Sequence, residues 1–367
     1  MNIGIPKEVK DHEYRVGITP EGASELVHRG HVLWLESQAG VGSGFLDEEY
    51  SHVGVHVTSS KDELFAECSF IVKVKDPLVE ECVYLREHHI IFTYLHLAAN
   101  VELTNALLAS GCTALAYETL EDEFGELPIL HPMSEIAGRM AVQIGAHFLE
   151  RGQGGRGVLL GGVPGVLSGR VVILGSGVVG SSSAKIAIGM GANVTVLSID
   201  LSQLRDLDVR YPGQVQTCFA TKEAIAHAVR SADLLIGAVM VRGAKSPTLV
   251  SQTLVSQMLK KSVIIDVGID QGGCVETIRP TTHTAPIFEI HNVLHYGVTN
   301  IPGIVPRTST MALTHATLPF IIRLAEGGTE TAFQGNSGLS RGVNIRQGKV
   351  TYKAVAEAHG LTFHSLG

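Results

Sequence analysis

Four polar side chains stand at or beside apolar runs, where they can meet a ligand. Arg15 leads into Val16-Gly-Ile-Thr-Pro20, and Lys75 closes Val72-Lys-Val-Lys75 ahead of Asp76-Pro77. His96 follows Phe92-Thr-Tyr-Leu95, and Asp270 closes Ser262-Val-Ile-Ile-Asp-Val-Gly-Ile-Asp270. A guanidinium, an ammonium, an imidazole and a carboxylate can between them bind a small polar molecule and move its protons. In open α/β sheets ligands gather beyond the carboxyl ends of strands, and Lys75, His96 and Asp270 read as occupying such ends. Each has an ordinary alternative. An Arg near an N-terminus is commonly a surface residue, and a lone His in an apolar stretch is commonly a core residue. A Lys alternating along a strand faces solvent, and an Asp after a strand is often a turn former.

A second constellation binds phosphate. Arg170-Val-Val-Ile-Leu174 reads as a strand running into Gly175-Ser-Gly177-Val178-Val179-Gly180, followed by a helical run from Ser181 to Met190, Gly191 and a strand Asn193–Leu197. This is the pattern of a dinucleotide-binding βαβ unit. Gly175 permits the tight turn, Gly177 lets the backbone approach a pyrophosphate, and Gly180 lets the helix pack close to the strand. The helix N-terminus offers its N–H groups to the phosphates. An acidic residue is expected at the end of the second strand, to bind the ribose hydroxyls, but Ser198 stands there with Asp200 two residues on. Asp200 either faces the same way as Ser198, if the strand continues, or begins the next turn. The choice between NAD and NADP is open at this point.

The elements that would position these residues alternate regularly. Ile3–Ile5, Val32–Leu35, Phe70–Val74, Ile90–Phe92 and Thr113–Ala116 read as strands, and Pro20–His28, Lys61–Glu67 and Val101–Ala109 as helices. Strands separated by single helices predict a largely parallel sheet. A long helix is expected from Ser134 to Glu150, with Ser134 as its N-cap. The glycine-rich stretch from Gly152 to Gly169 is either a linker or a loop held close to a ligand. Ala232–Ala238 and Ser262–Asp270 continue the Rossmann pattern, and a further helix is expected from about Thr310 to Leu324. The fold class is therefore α/β with two Rossmann-like domains. The nucleotide-binding domain, residues 130–307, is inserted in a discontinuous substrate domain, residues 1–129 and 308–367.

Composition narrows the classes of function. The chain has 367 residues, 45% hydrophobic and 17% charged, and a formal charge of −8, so nucleic acid is not an expected partner. No apolar run reaches the ~18 residues of a membrane span, and the first residues lack the pattern of a signal peptide. Five scattered cysteines without a Cys-x-x-Cys point to a reducing cytoplasm rather than a disulfide framework. The seventeen histidines include no His-x-x-x-His or His-Glu-x-x-His pair, so no metal site is expected.

Several distinctive segments occur in order along nearly the whole chain: Pro6-Lys-Glu8, Arg15-Val-Gly-Ile-Thr-Pro20, Val74-Lys-Asp-Pro77, Tyr94-Leu-His-Leu-Ala98 and Pro132-Met-Ser-Glu135. They continue with Gly154-Gly-Arg-Gly-Val-Leu159, Gly161-Gly-Val-Pro-Gly165, Asp270-Gln-Gly-Gly273, Arg279-Pro-Thr-Thr282 and Thr308-Ser-Thr310. Together they resemble alanine dehydrogenase, of the family it forms with the transhydrogenase α-subunit. The resemblance implies reversible oxidative deamination of L-alanine to pyruvate and ammonium with NAD. It makes Arg15 a clamp on the substrate carboxylate and Lys75 a group that holds the carboxylate and polarises the carbonyl. His96 becomes the general acid/base, and Asp270 positions the amine or the attacking water. Ser134, Val239, Ile269, Asp270, Arg279 and the Val298–Ile301 loop join Gly175, Gly177, Val178, Val179, Gly180 and Ser198 around the cofactor. A homo-oligomer, typically a hexamer, is implied as well.

The chain departs from the family around the adenosine ribose. Family members usually carry Asp where this chain has Ser198, and a basic residue and a serine are expected where it has Gln203 and Ala220. Losing the carboxylate removes hydrogen bonds to the ribose and also removes repulsion of a 2′-phosphate. NAD stays the favoured cofactor, with NADP possible, because no replacement arginine beyond Arg205 is evident. Two other readings compete: a transhydrogenase-like NAD-binding subunit, and a degenerate nucleotide-binding protein without catalysis. Against the first, the chain carries no apolar span; against the second, Arg15, Lys75, His96 and Asp270 are all retained.

Overall fold

The computed structural model describes residues 1–240, 246–333 and 337–366, so Gly367 lies outside the described residues. The chain divides into two compact units, Met1–Met133 with Val305–Gly367, and Ser134–Ile304.

In the first unit, β1 (Asn2–Ile5), β2 (Val32–Glu36), β3 (His56–Thr58), β4 (Phe70–Val72), β5 (Ile90–Thr93) and β6 (Thr113–Ala116) are joined by helices or helical turns. Such crossovers keep neighbouring strands parallel. The sheet order is β15-β14-β6-β5-β4-β1-β2-β3, where β14 (Val343–Arg346) and β15 (Lys349–Val350) return from the C-terminal segment. Only the pairings of β14 are antiparallel, with β6 and with β15. Ile3, Leu33, Ile71, Ile91 and Ala114 are fully or almost fully buried, as expected of parallel strands covered on both faces.

Helix boundaries follow local chemistry where caps are present. Pro20–His28 starts after Thr19, whose side chain accepts the Gly22 N–H, and Pro20 takes the first turn, where no N–H is needed. Lys61–Glu67 starts after Ser60, whose hydroxyl accepts the Glu63 N–H. Both helices span the residues expected from sequence. The helix expected from Ser134 instead runs Leu130–Phe148, so Ser134 lies in its second turn and is not its cap. Pro132 causes the difference: it sits in the first turn, where its missing N–H costs nothing. The C-terminal helix is also longer than expected, Pro306–Phe333, broken at Gly328 by non-helical angles.

In the second unit, β7 (Arg170–Leu174), β8 (Asn193–Ser198), β9 (Val215–Phe219), β10 (Leu234–Gly237), β11 (Val263–Asp266), β12 (Ile287–Ile290) and β13 (Val293–Tyr296) form a sheet in the order β12-β13-β11-β10-β7-β8-β9. All pairs are parallel except β12 with β13. Alternate strand residues face opposite cores. Val171, Ile173, Leu234 and Ile236 pack with Ala141 and Ile144 on one side. Val172, Leu174, Leu235 and Ile264 pack with Ile225, Val229 and Leu254 on the other. The fold class is thus the expected one, a pair of parallel-dominated α/β units. No helix among the described residues is long and apolar enough to cross a membrane.

Candidate functional site

In the first unit, three of the four expected polar residues lie beyond the carboxyl ends of adjacent parallel strands. Arg15 follows β1, Lys75 lies three residues past the end of β4, and His96 three past the end of β5, while β5, β4 and β1 are neighbours in the sheet. The strand expected to reach Val74 stops at Val72, because the Glu8 carboxylate takes the Val74 N–H at 2.7 Å.

Arg15 is not a surface residue: it is 2% exposed. Its Nε and Nη2 donate to the two carboxylate oxygens of Glu13 at 2.7 and 2.5 Å, and Nη1 faces the Met133 thioether at 3.4 Å. Burial opposes ionisation of Glu13, but the Arg15 charge and its hydrogen bonds outweigh this and hold the carboxyl below the ordinary glutamate range. Burial likewise disfavours the guanidinium charge, and Glu13 reverses that effect and raises the Arg15 pKa.

Lys75 is partly buried, and its N–H lies 3.4 Å from the same Glu8 that holds Val74. Its neighbour Lys73 has a different task. It is fully enclosed, with its ammonium 3.4 Å from Glu8 and 3.6 Å from Glu81, ion pairs that lack hydrogen-bond geometry. Desolvation works against its charge, and those two carboxylates more than restore it.

His96 is exposed, with left-handed backbone angles of φ 50° and ψ 36°. Such angles are costly for a side chain with a Cβ and persist only where the surroundings impose them. Here the Glu118 carboxylate accepts the His96 N–H at 2.6 Å and the Leu95 N–H at 3.2 Å. The imidazole stacks on Tyr94, with ring centroids 6.0 Å apart and 9° between planes. Tyr94 is buried and donates its hydroxyl to Ile129 O, and burial pushes its pKa up. His359 holds the following turn through Leu97 O at 2.7 Å.

The expected cofactor residues cluster in the second unit. β7, β8 and β9 run outward on one side of the sheet, and β10, β11 and β13 on the other, so the strand order reverses between β7 and β10. Ligands of doubly wound sheets bind at that reversal. Gly175 lies there with φ 102°, and a Cβ on it would meet Ala238 O at 2.4 Å. A Cβ on Gly180 would lie 2.0 Å from Gly175 O, whereas one on Gly177 would meet nothing within 4 Å. Gly177 is the N-cap of helix Val178–Gly189, with no side-chain hydrogen bond to the cap. The open space above Gly177 and the N–H groups of Val178 and Val179 in the first turn fit the pyrophosphate of a dinucleotide.

Ser198 ends β8, where the acidic residue is missing. Ser176 Oγ lies 2.7 Å from Ser198 Oγ and 2.8 Å from Gln203 Oε1. One hydroxyl has one proton, so Ser198 donates to Ser176 and Ser176 donates to Gln203. Asp200 does not extend the strand: its carboxylate caps helix Leu201–Arg210 by accepting the Ser202 and Gln203 N–H groups.

Asp270 is exposed but does not end a strand, contrary to the expectation. β11 stops at Asp266, and Asp270 lies on a 3-10 turn, Val267–Gln271. Asp266 is fully buried and makes that turn by accepting the N–H groups of Gly268, Cys274 and Val275 at 3.1, 2.7 and 3.2 Å. Burial nonetheless raises its pKa. Ile269, Val298 and Ile301 are 4, 1 and 3% exposed, so their side chains serve the core and a cofactor would meet their main chain. Val239 and Ser134 are partly buried, and exposed Arg279 lies with Cζ 4.6 Å above the Phe288 ring. Sequence reasoning missed Glu8, Glu13, Glu118 and Asp266. The available signal was their place within or next to the segments that carry Arg15, Lys75, His96 and Asp270.

Fold and glycine turn together define a dinucleotide-binding α/β protein. Comparison narrows the class. Residues 4–137 match the family model of the alanine dehydrogenase/PNT N-terminal domain, and residues 141–353 that of the C-terminal domain. The chain belongs to the alanine dehydrogenase/PNT family. It is 50% identical over 363 residues to an alanine dehydrogenase of Halomonas elongata, covering 99% of this chain and 98% of that one. It is also 50% identical to an alanine dehydrogenase of Bacillus subtilis, covering 99% and 96%. Among solved structures, an L-alanine dehydrogenase superposes with a TM-score of 0.96 at 48% identity, covering 98% of this chain and 99% of that one. A transhydrogenase from Sinorhizobium meliloti superposes at 0.82 with 20% identity, covering 96% and 100%, a likeness of fold alone.

Proposed function

We propose that the protein acts as an alanine dehydrogenase: L-alanine, water and an oxidised nicotinamide dinucleotide give pyruvate, ammonium, the reduced dinucleotide and a proton, reversibly. The observation that carries this reading is the 50% identity to curated alanine dehydrogenases across 99% of the chain. It makes the chain an oxidoreductase acting on a CH–NH2 group.

The nicotinamide, when bound, exchanges hydride with the substrate carbon; the residues of the chain orient the substrate and handle charge and protons. Arg15 has its Nε–Nη2 edge engaged by Glu13, so we assign the substrate carboxylate to the Nη1–Nη2 edge, where it displaces a weakly accepting thioether. Lys75 adds a second cation and polarises the carbonyl oxygen of pyruvate. His96 exchanges a proton with the substrate, and Asp270 orients the amine or the water and favours a cationic imine. Ser134, Gly175, Gly177, Val178, Val179, Gly180, Val239, Ile269, Arg279, Val298 and Ile301 belong to the cofactor site in this reading.

NAD is the preferred cofactor, with weak discrimination against NADP. The support is the uncharged Ser176–Ser198–Gln203 chain, which offers no carboxylate either to bind a ribose diol or to repel a 2′-phosphate. A hexamer in the cytoplasm completes the reading, on the family and on five free, scattered cysteines; light scattering of the purified protein tests the assembly. The reaction is tested by initial rates of NADH oxidation requiring both pyruvate and ammonium, with NADPH in parallel. No turnover by folded protein that binds nucleotide refutes the activity, and an NADH preference above about a thousandfold refutes the weak discrimination.

A further inference from the structure

We propose that Glu13 is a positioning and specificity-determining residue, which aims Arg15 and makes the substrate pocket select 2-oxo acids that carry a single carboxylate. The inference rests on the assignment of Arg15 and Lys75 to substrate binding.

Two observations carry it. First, the Glu13 and Arg15 side chains are 1% and 2% exposed and form a side-on bidentate pair, Nε to Oε1 at 2.7 Å and Nη2 to Oε2 at 2.5 Å. The Arg15 N–H also bonds Glu13 Oε1, at 3.1 Å, which locks the backbone between them. A guanidinium held along one edge presents only its other edge to a ligand, so Glu13 fixes the direction from which a carboxylate arrives. Second, Glu13 is close enough to Lys75 for that ammonium to help keep it ionised. Arg15, Lys75 and Glu13 thus form one cluster of two cations and one anion. The neighbouring charges pair among themselves: Lys73 with Glu8 and Glu81, Lys61 with Glu81 and Glu36, and Lys10 with Asp76.

A first substrate carboxylate gains from both cations. A second one, on the side chain of the substrate, finds Arg15 already neutralised and Glu13 repelling it in a site sheltered from water, where charge interactions are poorly screened. A neutral side chain of equal size incurs neither effect.

The test compares oxaloacetate with 4-methyl-2-oxopentanoate, which have side chains of the same shape and differ in charge, as substrates or as competitive inhibitors against pyruvate. The wild type is expected to favour the neutral acid. Glu13→Gln removes the charge and should shift the ratio toward oxaloacetate by about tenfold, the scale of one unit charge several Å away. Glu13→Asp keeps the charge but shortens the reach to Arg15; it should raise the KM for pyruvate and leave the ratio as in the wild type. A purely structural Glu13 would weaken both acids together and leave the ratio fixed in both variants. An unchanged ratio in folded Glu13→Gln overturns the inference. If that variant does not fold, equal handling of the two acids by the wild type overturns it, as does a shifted ratio in Glu13→Asp. Absence of pyruvate turnover by the wild type would instead remove the underlying reading.

Discussion

The glycines of the nucleotide turn separate fold from function in a way that two single substitutions expose. In Gly180→Ala the added Cβ lies 2.0 Å from Gly175 O, against a floor of 3.0 Å for real Cβ contacts, so atoms must move by at least 1.0 Å. The obstructing atom is backbone and cannot swing aside, so the helix must lift from the strand. Overpacking of this kind costs about 1–3 kcal/mol. At roughly 2–4 °C per kcal/mol for a unit of this size, the Tm should fall by roughly 3–10 °C. Gly177→Ala differs. Its φ of −63° suits alanine and nothing lies within 4 Å of the new Cβ, so the cost is that of a poorer N-cap, under about 1 kcal/mol. The methyl instead occupies the space assigned to the pyrophosphate. Losing one charge-assisted hydrogen bond of about 1.5–3 kcal/mol weakens dinucleotide binding roughly 10- to 100-fold. Thermal unfolding and fluorescence titration with NADH measure the two effects. Gly177→Ala that binds NADH within twofold of wild type, or Gly180→Ala with an unchanged Tm, would refute the reasoning.

Ser198→Asp should restore a ribose-binding carboxylate, raising kcat/KM for NADH and lowering it for NADPH by about tenfold or more, read from initial rates with each cofactor. Glu118→Ala removes the acceptor that holds Leu95 and His96, so kcat should fall by about tenfold while KM for pyruvate changes little; equal losses in Glu118→Ala and a remote surface variant would count against it. Glu13 and Glu81 have pKa values held below the ordinary 4.5, so the stability they provide is present above that pH and is lost as pH falls through their folded values. Thermal unfolding should therefore move to lower temperature as pH drops below about 4.5, with a shallower slope in Glu13→Gln.

What could be read from the sequence was whatever is decided locally. Pro20–His28 and Lys61–Glu67 begin at Thr19 and Ser60 caps, and the Gly175–Gly180 turn depends on glycine at fixed spacing. Features decided by distant partners were not legible. β4 ends two residues early because Glu8, 66 positions away, takes the Val74 N–H. β11 ends at Asp266 because its carboxylate gathers N–H groups as far as Val275. The edge strands β14 and β15 have weak patterns of their own and depend on pairing with β6. Arg15, Lys75 and His96 were found from their place after apolar runs. The carboxylates holding them were not, since nothing in an isolated Glu announces a buried partner.

Those carboxylates share one physical role. A loop beyond a strand end has no ladder to satisfy its N–H groups, and water there would leave it mobile. A carboxylate is an acceptor with room for several N–H donors, and its charge strengthens each bond. Glu8 takes Val74 and Lys75, Glu118 takes Leu95 and His96, and Asp266 takes Gly268, Cys274 and Val275. Each of these loops carries or adjoins a residue assigned to the substrate. An amide in the same place would keep one acceptor oxygen and turn an NH2 toward the remaining N–H groups. Glutamine and asparagine are therefore disruptive replacements here, although they preserve size. Part of the excess of 36 acidic over 28 basic residues is accordingly internal scaffolding for the loops and not a solvated surface.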